Sequence, residues 1–141
     1  MRVDDATVRC VLELPLGDWR SEEGLRDSAV LVILIERDGV DHVVFNRRRD
    51  DLPHHPGEVS FPGGTREGDE DAVACAVRET YEEIGIRATD LDVLGRLPER
   101  VSIAGFRVVP FFTHGDRTVW GLTGIILRDF VTQVMGLAPL R

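Results

Sequence analysis

The chain has 141 residues, of which 43% are hydrophobic and 30% charged; this balance is typical of one folded domain and excludes a disordered or fibrous design. The formal net charge of −8 argues against a surface that binds long nucleic acid. The longest apolar run, Ala29 to Ile35, is too short to cross a bilayer, and the first residues lack the pattern of a signal peptide. We therefore expect a single domain, residues 1–141, that is cytoplasmic, does not bind membranes, and is a monomer or homodimer.

The N-terminal part predicts a helix around Arg2 to Leu12, followed by β-structure. The β-branched run from Ala29 to Ile35 predicts one continuous strand buried on both faces. Asp38-Gly39 supplies hairpin-turn chemistry before a second strand at Val43 to Phe45. Cys10, in the first segment, has no partner at the spacing of a zinc site or a disulfide framework, so we expect a reduced thiol.

An irregular connection with two prolines follows, and then a short strand at Glu58 to Phe61 that ends in a glycine turn at Pro62-Gly63-Gly64. After the turn, the segment Asp71 to Ile84 contains no glycine or proline and predicts the clearest helix of the chain. Asp69 is predicted as its N-cap, acidic residues are expected in its first turn, and Gly85 is predicted to end it. Its apolar stripe is predicted to contain Val73, Val77, Thr80 and Ile84, with Ala76 beside it.

The second half predicts strands at Leu91 to Leu97 and Phe106 to Phe112, and a helix from Val119 to Met135 in which Phe130 is a core residue. No internal repeat or linker interrupts the chain. This order of sheet, helix, sheet, helix favours an α+β or layered α/β/α domain.

Three glutamates of the predicted central helix share one of its faces. Glu79, Glu82 and Glu83 stand at i, i+3 and i+4, so their carboxylates repel one another unless a cation neutralises them. Carboxylates are ligands that Mg²⁺ and Mn²⁺ accept. A solvated acidic helix end, with Arg78 as a partner, explains the spacing equally well. Gly63 and Gly64, just before the helix, favour the metal interpretation because they allow the backbone to approach a metal or phosphate closely.

The glycine turn and helix together resemble the Nudix box. Gly64 is followed after five residues by Glu70, and after seven more by the run Arg78 to Ile86, and this spacing agrees with the box throughout. The one departure is Thr80, where the family usually has an aliphatic residue; the methyl group of threonine can pack on the same stripe.

The resemblance implies an α/β/α sandwich around a mixed sheet, and a hydrolase that cleaves nucleoside diphosphate derivatives with Mg²⁺ or Mn²⁺. By similarity Glu79, Glu82 and Glu83 would be the catalytic, metal-binding carboxylates, and Gly63 would offer its backbone carbonyl. Glu70 and Arg78 would form a largely structural pair. A metal-activated water would attack one phosphorus without a covalent intermediate.

A second resemblance concerns the substrate. The stretches Val43 to Arg47 and His55 to Gly64 resemble the signature that precedes the box in the coenzyme A pyrophosphatases of this superfamily; the second stretch matches better than the first. Coenzyme A or an acyl derivative is therefore the expected substrate. Other nucleoside diphosphate derivatives, such as ADP-ribose or dinucleotides, and a nucleotide-binding module with weak hydrolysis stay open as alternatives.

Several polar residues near these motifs have two interpretations. Arg47 and Arg49 are candidate ligands of the 3′-phosphate or diphosphate of the substrate, and exposure to solvent is the equally weighted alternative. His54 and His55 lie in a proline-rich loop and are expected to be structural or exposed rather than catalytic. Cys75 is expected to be a buried, inert thiol.

The resemblance weakens after about Phe112. Only Thr113 to Thr118 separates the strand there from the last helix, whereas relatives usually have a longer passage that completes the pocket and sometimes supplies the general base. Either this passage is naturally short, or a loop is missing from the sequence. The second interpretation is favoured because the helix after it still resembles the family's.

Overall fold

The computed structural model describes residues 19–53, 56–97, 99–101 and 106–110, the last range as backbone only, together with 125–126, 129–130 and 132. The predicted helix at Arg2 to Leu12, the residues Cys10, His54 and His55, and the passage 113–118 lie outside these ranges. The described strands are β1 (Arg26–Val30), β2 (Leu34–Arg37), β3 (Val40–Val43), β4 (Asn46–Arg47), β5 (Val59–Ser60), β6 (Gly63–Thr65), β7 (Arg100–Val101) and β8 (Phe106–Pro110).

The described strands form one mixed sheet and two antiparallel pairs. The sheet has the order β6-β1-β8-β7, in which β1 is parallel to β8 and antiparallel to β6, while β7 is antiparallel to β8. β2 pairs with β3, and β4 pairs with β5. The mixed sheet predicted from the sequence is confirmed.

The apolar run 29–35 is buried at Ala29, Leu31, Val32 and Ile33, but not over its whole length as predicted, and it is not one strand. Three alternating residues of the run, Ala29, Leu31 and Ile33, pack into the core cluster with the central helix. Val32, between them, has no exposed surface. β1 ends at Val30 and β2 begins at Leu34. The prediction of one continuous strand was wrong, because the start of the run pairs with β6 and β8, whereas its end pairs with β3. Ile35, at this end, is 44% exposed.

The β2–β3 hairpin forms at the predicted turn. Asp38 and Gly39 both have positive φ, 54° and 75° respectively, which is the left-handed backbone that a two-residue type I′ turn requires. The second strand runs over Val40–Val43, earlier than the predicted Val43 to Phe45, because the tight turn lets pairing begin directly after Gly39.

The predicted central helix is confirmed as α1, Ala72–Ile84, and Gly85 ends it in the left-handed conformation with φ 75°. Its N-cap is Asp71, whose carboxylate accepts a hydrogen bond from the Ala74 amide at 2.8 Å. The predicted N-cap, Asp69, was wrong because it lies in a turn before the helix begins. The expected acidic residues were also wrong, since the first turn of α1 contains none.

The buried face of α1 is formed mainly by small side chains. Thr80 of the predicted stripe is fully buried, whereas Val73 and Ile84 flank the core cluster and remain partly exposed. The small side chains let the helix lie close to β1 and β6. The buried residues of the helix are Ala72, Cys75, Ala76 and Thr80.

The glycine segment is a strand rather than the predicted turn. Gly63–Thr65 forms β6 at the edge of the sheet and pairs with Ser28, Ala29 and Val30 of β1. The strand predicted just before it, over Glu58 to Phe61, is confirmed only over Val59–Ser60. The two glycines therefore serve close packing within the sheet instead of a change in chain direction.

The described residues of the second half contain partly other elements than those predicted. A 3₁₀ turn, Ala88–Asp90, follows α1. The strand predicted at Leu91 to Leu97 was wrong, because this segment has only an isolated bridge, at Arg96, among the described residues. The strand predicted at Phe106 to Phe112 is confirmed over Phe106–Pro110.

The described residues of the predicted last helix are helical, namely Ile125, Ile126, Asp129, Phe130 and Thr132. Phe130 is fully buried, as predicted, and Asp129 accepts a hydrogen bond from Arg100 Nε of β7 at 2.8 Å. This contact connects the last helix to the edge of the sheet opposite β6. In the part of the chain that the structure describes, no helix is long and apolar enough to span a membrane.

Candidate active site

Glu70 and Arg78 form the pair that was predicted to be structural. Arg78 donates through Nε to Glu70 Oε2 at 3.0 Å and through Nη2 to Oε1 at 2.8 Å, which is bidentate geometry. The Glu70 carboxylate also accepts the Glu67 amide at 2.8 Å. The hydrogen bonding from Arg78 is the largest cause that lowers the pKa of Glu70. Together with the bond from the Glu67 amide it outweighs desolvation, and the pKa falls to about 2. The pair joins the loop before α1 to the middle of the helix.

The same guanidinium holds two of the three predicted metal ligands. Arg78 Nη1 donates to Glu79 Oε1 at 3.0 Å and to Glu82 Oε2 at 3.1 Å, while Nη2 donates to Thr65 O at 3.1 Å. The side chain of Glu79 is only 16% exposed, whereas that of Glu82 is 53% exposed. Glu79 is therefore the enclosed carboxylate of the two, and Glu82 lies at the rim.

Glu79 packs against the glycine strand. A Cβ atom added to Gly64 would lie 2.5 Å from the carboxyl carbon of Glu79. Ordinary van der Waals contact requires a larger separation, so no other residue type leaves room for this carboxylate. The absence of a side chain at Gly64 thus leaves the space that the Glu79 carboxylate occupies. The close approach of the Gly63-Gly64 backbone to a metal or phosphate stays a prediction.

Glu83 is held by different partners. Asn46 Nδ2 donates to Glu83 Oε2 at 2.5 Å, and the carboxylate also accepts a hydrogen bond from the Gly63 amide. Partial burial raises the pKa of Glu83 above its usual value; the bond from Asn46 opposes this rise, and the negative charge of Glu79 adds to it. Glu79 and Glu83 thus face each other closely enough for one charge to act on the other.

The register of β6 turns the backbone of Gly63 toward this site. In an antiparallel ladder, opposed residues alternate between pairs that exchange hydrogen bonds and pairs that do not. Leu31 N donates to Pro62 O, so the next pair, Val30 with Gly63, exchanges none. The carbonyl of Gly63 therefore points away from β1, on the same side as the amide that binds Glu83.

The three glutamates do not converge on one point. Among the residues that the structure describes, no three carboxylate, histidine or cysteine side chains gather closely enough to hold a metal ion. Arg78 draws Glu79 and Glu82 one way while Asn46 holds Glu83. The donors nevertheless fit a hard divalent cation, because two carboxylates of like charge and an outward-facing carbonyl lie around the Gly63-Gly64 part of β6, which has no side chains.

The arginines chosen as substrate ligands lie in surface ion pairs. Arg47 Nη2 is 2.9 Å from Asp50 Oδ1, and Arg49 Nη2 is 2.5 Å from Asp51 Oδ2, with arginine side chains 53% and 77% exposed. The arginine that acts electrostatically on Glu83 is Arg48, between them. Sequence reasoning did not single out Arg48 or Asn46, since nothing in the local pattern indicated a contact with a residue more than 30 positions away, the separation being 37 for Asn46.

Cys75 is a free, buried thiol, as expected. Its Sγ donates to Gly64 O at 3.4 Å. Burial is the main cause that raises its pKa to about 12. The thiol therefore stays protonated and helps to seat β6 on α1.

Comparison with known proteins shows which sequences this chain is similar to. The model of the NUDIX domain matches residues 25–122. The peroxisomal coenzyme A diphosphatase NUDT7 of Mus musculus is 33% identical over 93% of this chain and 51% of its own length. Nudix hydrolase 3 of Caenorhabditis elegans is 40% identical over 79% of this chain and 47% of its own length. The chain thus spans about half the length of these curated relatives.

Solved structures agree on the fold at lower identity. An Ap4A hydrolase of C. elegans in a binary complex superposes with a TM-score of 0.55 at 18% identity, covering 80% of this chain and 100% of that one. The Nudix hydrolase RenU of M. smegmatis gives a TM-score of 0.51 at 22% identity, covering 69% of this chain and 65% of that one. These likenesses concern the fold alone.

Proposed function

Because the chain belongs to the Nudix family, we propose that it hydrolyses the diphosphate bond of a nucleoside diphosphate derivative and depends on Mg²⁺ or Mn²⁺. The observation that carries the proposal is the placement of Glu79 and Glu83 against the two glycines of β6, beside the Glu70–Arg78 pair. A binding module with weak hydrolysis is the alternative, but binding alone gives no reason to gather repelling glutamates.

Glu79 and Glu83, with the Gly63 carbonyl, would hold the metal, and Glu82 would join them from the rim. A bound divalent cation lowers the pKa of an attacking water and neutralises charge on the diphosphate. Arg78 keeps Glu79 and Glu82 in place and is itself kept in place by Glu70. β6 presents only backbone here, so a phosphate group can approach the strand closely.

Coenzyme A or an acyl-coenzyme A is the proposed substrate, cut to a phosphopantetheine product and 3′,5′-ADP. The support is the signature from His55 to Gly64 and the similarity to a relative named as a coenzyme A diphosphatase. ADP-ribose, dinucleotides and other nucleotides are the alternative substrates. Arg47 and Arg49 remain proposed phosphate ligands, and each would exchange its exposed aspartate partner for phosphate at little cost. The cytoplasm remains the predicted compartment, on sequence grounds alone.

A panel of diphosphate substrates with and without Mg²⁺ or Mn²⁺, with products identified by mass, tests the reaction. If the substrate is coenzyme A, dephospho-coenzyme A should be hydrolysed with a lower kcat/KM, because the groups that bind the 3′-phosphate would be left unpaired. Equal kcat/KM for the two compounds would contradict the coenzyme A assignment. A preference for ADP-ribose would replace it with the alternative, while metal-dependent cleavage would still support the reaction.

The carboxylates are tested by replacing Glu82 or Glu83 with Gln. We expect each variant to remain folded and turnover to fall by about two to four orders of magnitude, because metal-assisted charge stabilisation supplies several kcal/mol of barrier reduction. Circular dichroism checks the fold, and turnover is measured at saturating Mg²⁺. Wild-type turnover in both variants would show that this face of α1 does not bind the catalytic metal.

A further inference from the structure

Asn46 reaches one of the proposed metal ligands from a strand that carries none of them. Its Nδ2 donates to Glu83 Oε2 at 2.5 Å across 37 positions of sequence. We propose that Asn46 is a positioning residue for Glu83: together with the Gly63 amide it holds the Glu83 carboxylate in the orientation that receives a divalent cation. This inference rests on the proposed function and deepens it.

Two donors from two different strands restrict the carboxylate. Asn46 lies on β4, and Gly63 lies on β6. A carboxylate held by one donor can still rotate about its terminal bond, whereas rotation of Glu83 would break at least one of two bonds. An ionised carboxylate has about four acceptor positions, so two remain for a cation after these donors are satisfied.

The position of Asn46 is itself determined by its neighbours. Its backbone pairs with Ser60 in the β4–β5 ladder. The preceding residue, Phe45, stacks its ring on Phe61 with centroids 5.0 Å apart and an interplanar angle of 29°. Because β5 leads directly into β6, the same few residues set the positions of both donors to Glu83.

Both donors to Glu83 are neutral, in contrast to the partner of the other two glutamates. The positively charged guanidinium of Arg78 contacts the carboxylates of both Glu79 and Glu82. Asn46 and Gly63 orient Glu83 without bringing such a charge into the hydrogen bond. Asn46 therefore orients Glu83 without offsetting its charge, whereas Arg78 offsets part of the charge of the two carboxylates that it holds.

Nuclear magnetic resonance can test the contact without metal or substrate. The chain contains one asparagine, Asn46, and one glutamine, Gln133, so the side-chain amide region contains only two pairs of signals to assign. Glu83→Ala should move the Asn46 pair. Glu82→Ala, the matched control on the same helix face, should leave it in place. If Glu83→Ala leaves the two side-chain amide signals of Asn46 unmoved, the inference is overturned.

Metal binding tests the consequence. Asn46→Ala should weaken the binding of Mn²⁺ about 10-fold, as loss of an orienting partner does at metal sites. In a Glu83→Ala background the same substitution should have little effect, because Asn46 acts through Glu83. His42→Ala, on the exposed face of β3, is a control expected to bind Mn²⁺ like the wild type. Equal losses in both backgrounds, or no loss in either, overturn the inference.

The outcomes separate this inference from the function itself. Coupled losses of Mn²⁺ affinity with no hydrolysis of any diphosphate substrate would uphold the role of Asn46 and contradict the proposed reaction. Metal-dependent hydrolysis with additive losses would uphold the reaction and contradict the role of Asn46. Failure to bind Mn²⁺ in the wild-type protein would contradict both.

Discussion

At the residue scale, we expect a methyl group added to each of the two adjacent glycines of β6 to have a different effect. A Cβ at Gly63 would overlap the backbone of Ala29 and Val30, which cannot move without disturbing the sheet. A Cβ at Gly64 would meet the carboxylate of Glu79, the far end of a flexible side chain. The first change threatens the fold, and the second displaces a proposed metal ligand.

We therefore predict that Gly63→Ala lowers the free energy of unfolding by about 1 to 3 kcal/mol or more. Gly64→Ala should keep most of the stability but lose up to about 100-fold in turnover, since a small misplacement of a catalytic group has a large effect on rate. Urea unfolding and a turnover assay measure the two quantities. The interpretation of β6 is wrong if Gly64→Ala keeps wild-type turnover. It is also wrong if the two variants lose the same amount of stability and the same amount of turnover.

The candidate site was predictable from the sequence where its contacts are local. Glu70, in the loop before α1, and Arg78, in the middle of the helix, are only eight residues apart, so the motif was sufficient to pair them. The role of Asn46 could not be foreseen, because its contact with Glu83 depends on how the β4–β5 pair lies against the helix. The two glycines were expected to allow close approach of a metal or phosphate, and the sequence did not show that the carboxylate of Glu79 lies against Gly64.

At the scale of elements, the Glu70–Arg78 pair joins the loop before α1 to the helix, and its contribution to stability should depend on pH. The pKa of Glu70 in the folded protein is lowered from 4.5 to about 2. A lowered pKa means that the stabilisation is fully present above the unfolded-state value and is lost as pH falls toward the folded-state value. The window of loss thus lies between pH 4.5 and about 2.

Glu70→Gln should consequently lower the free energy of unfolding by about 2 to 3 kcal/mol at neutral pH and by much less at about pH 2.5. Glu67→Gln is the matched control: Glu67 is 71% exposed and lies 3.6 Å from Arg78, so its replacement should cost little at either pH. Urea unfolding at the two pH values measures both variants. A difference between wild type and Glu70→Gln that is independent of pH would contradict the assigned cause.

Elements were predictable where a short-range pattern determines them. The helix, its glycine end and the Asp38-Gly39 hairpin followed from spacing and turn chemistry. The break in the run 29–35 could not be read from its composition, because the run is apolar throughout while its strand partners change along it. The strand expected at Leu91 to Leu97 failed for a related reason, since an apolar alternation does not guarantee a neighbouring strand with free hydrogen-bonding groups.

At the scale of the whole molecule, the family and the mixed sheet follow from a motif and its flanking strands. α1 packs on β1 and β6. Val32 is fully buried although it does not belong to the core cluster that contains Ala29, Leu31 and residues of α1. This burial agrees with the predicted layered arrangement. The sequence does not show which residues complete the proposed site. The predicted passage at 113–118 lies outside the described residues, and the chain spans about half the length of its curated relatives.

The passage from Thr113 to Thr118 leads to the last prediction. Six residues span at most about 20 Å when fully extended, which suits neighbouring elements but not a crossing of the domain. The helix after the passage still resembles that of the family, so we expect the natural protein to have further residues here, which form a loop that covers the site when substrate binds. Chymotrypsin, which cuts after Phe112 and Trp120, should then release no peptide of the sequence Thr113 to Trp120 from the natural protein. The peptide Arg107 to Phe111 serves as the identity control in the same digest, and detection of Thr113 to Trp120 by tandem mass spectrometry would show that the passage is short and the site open.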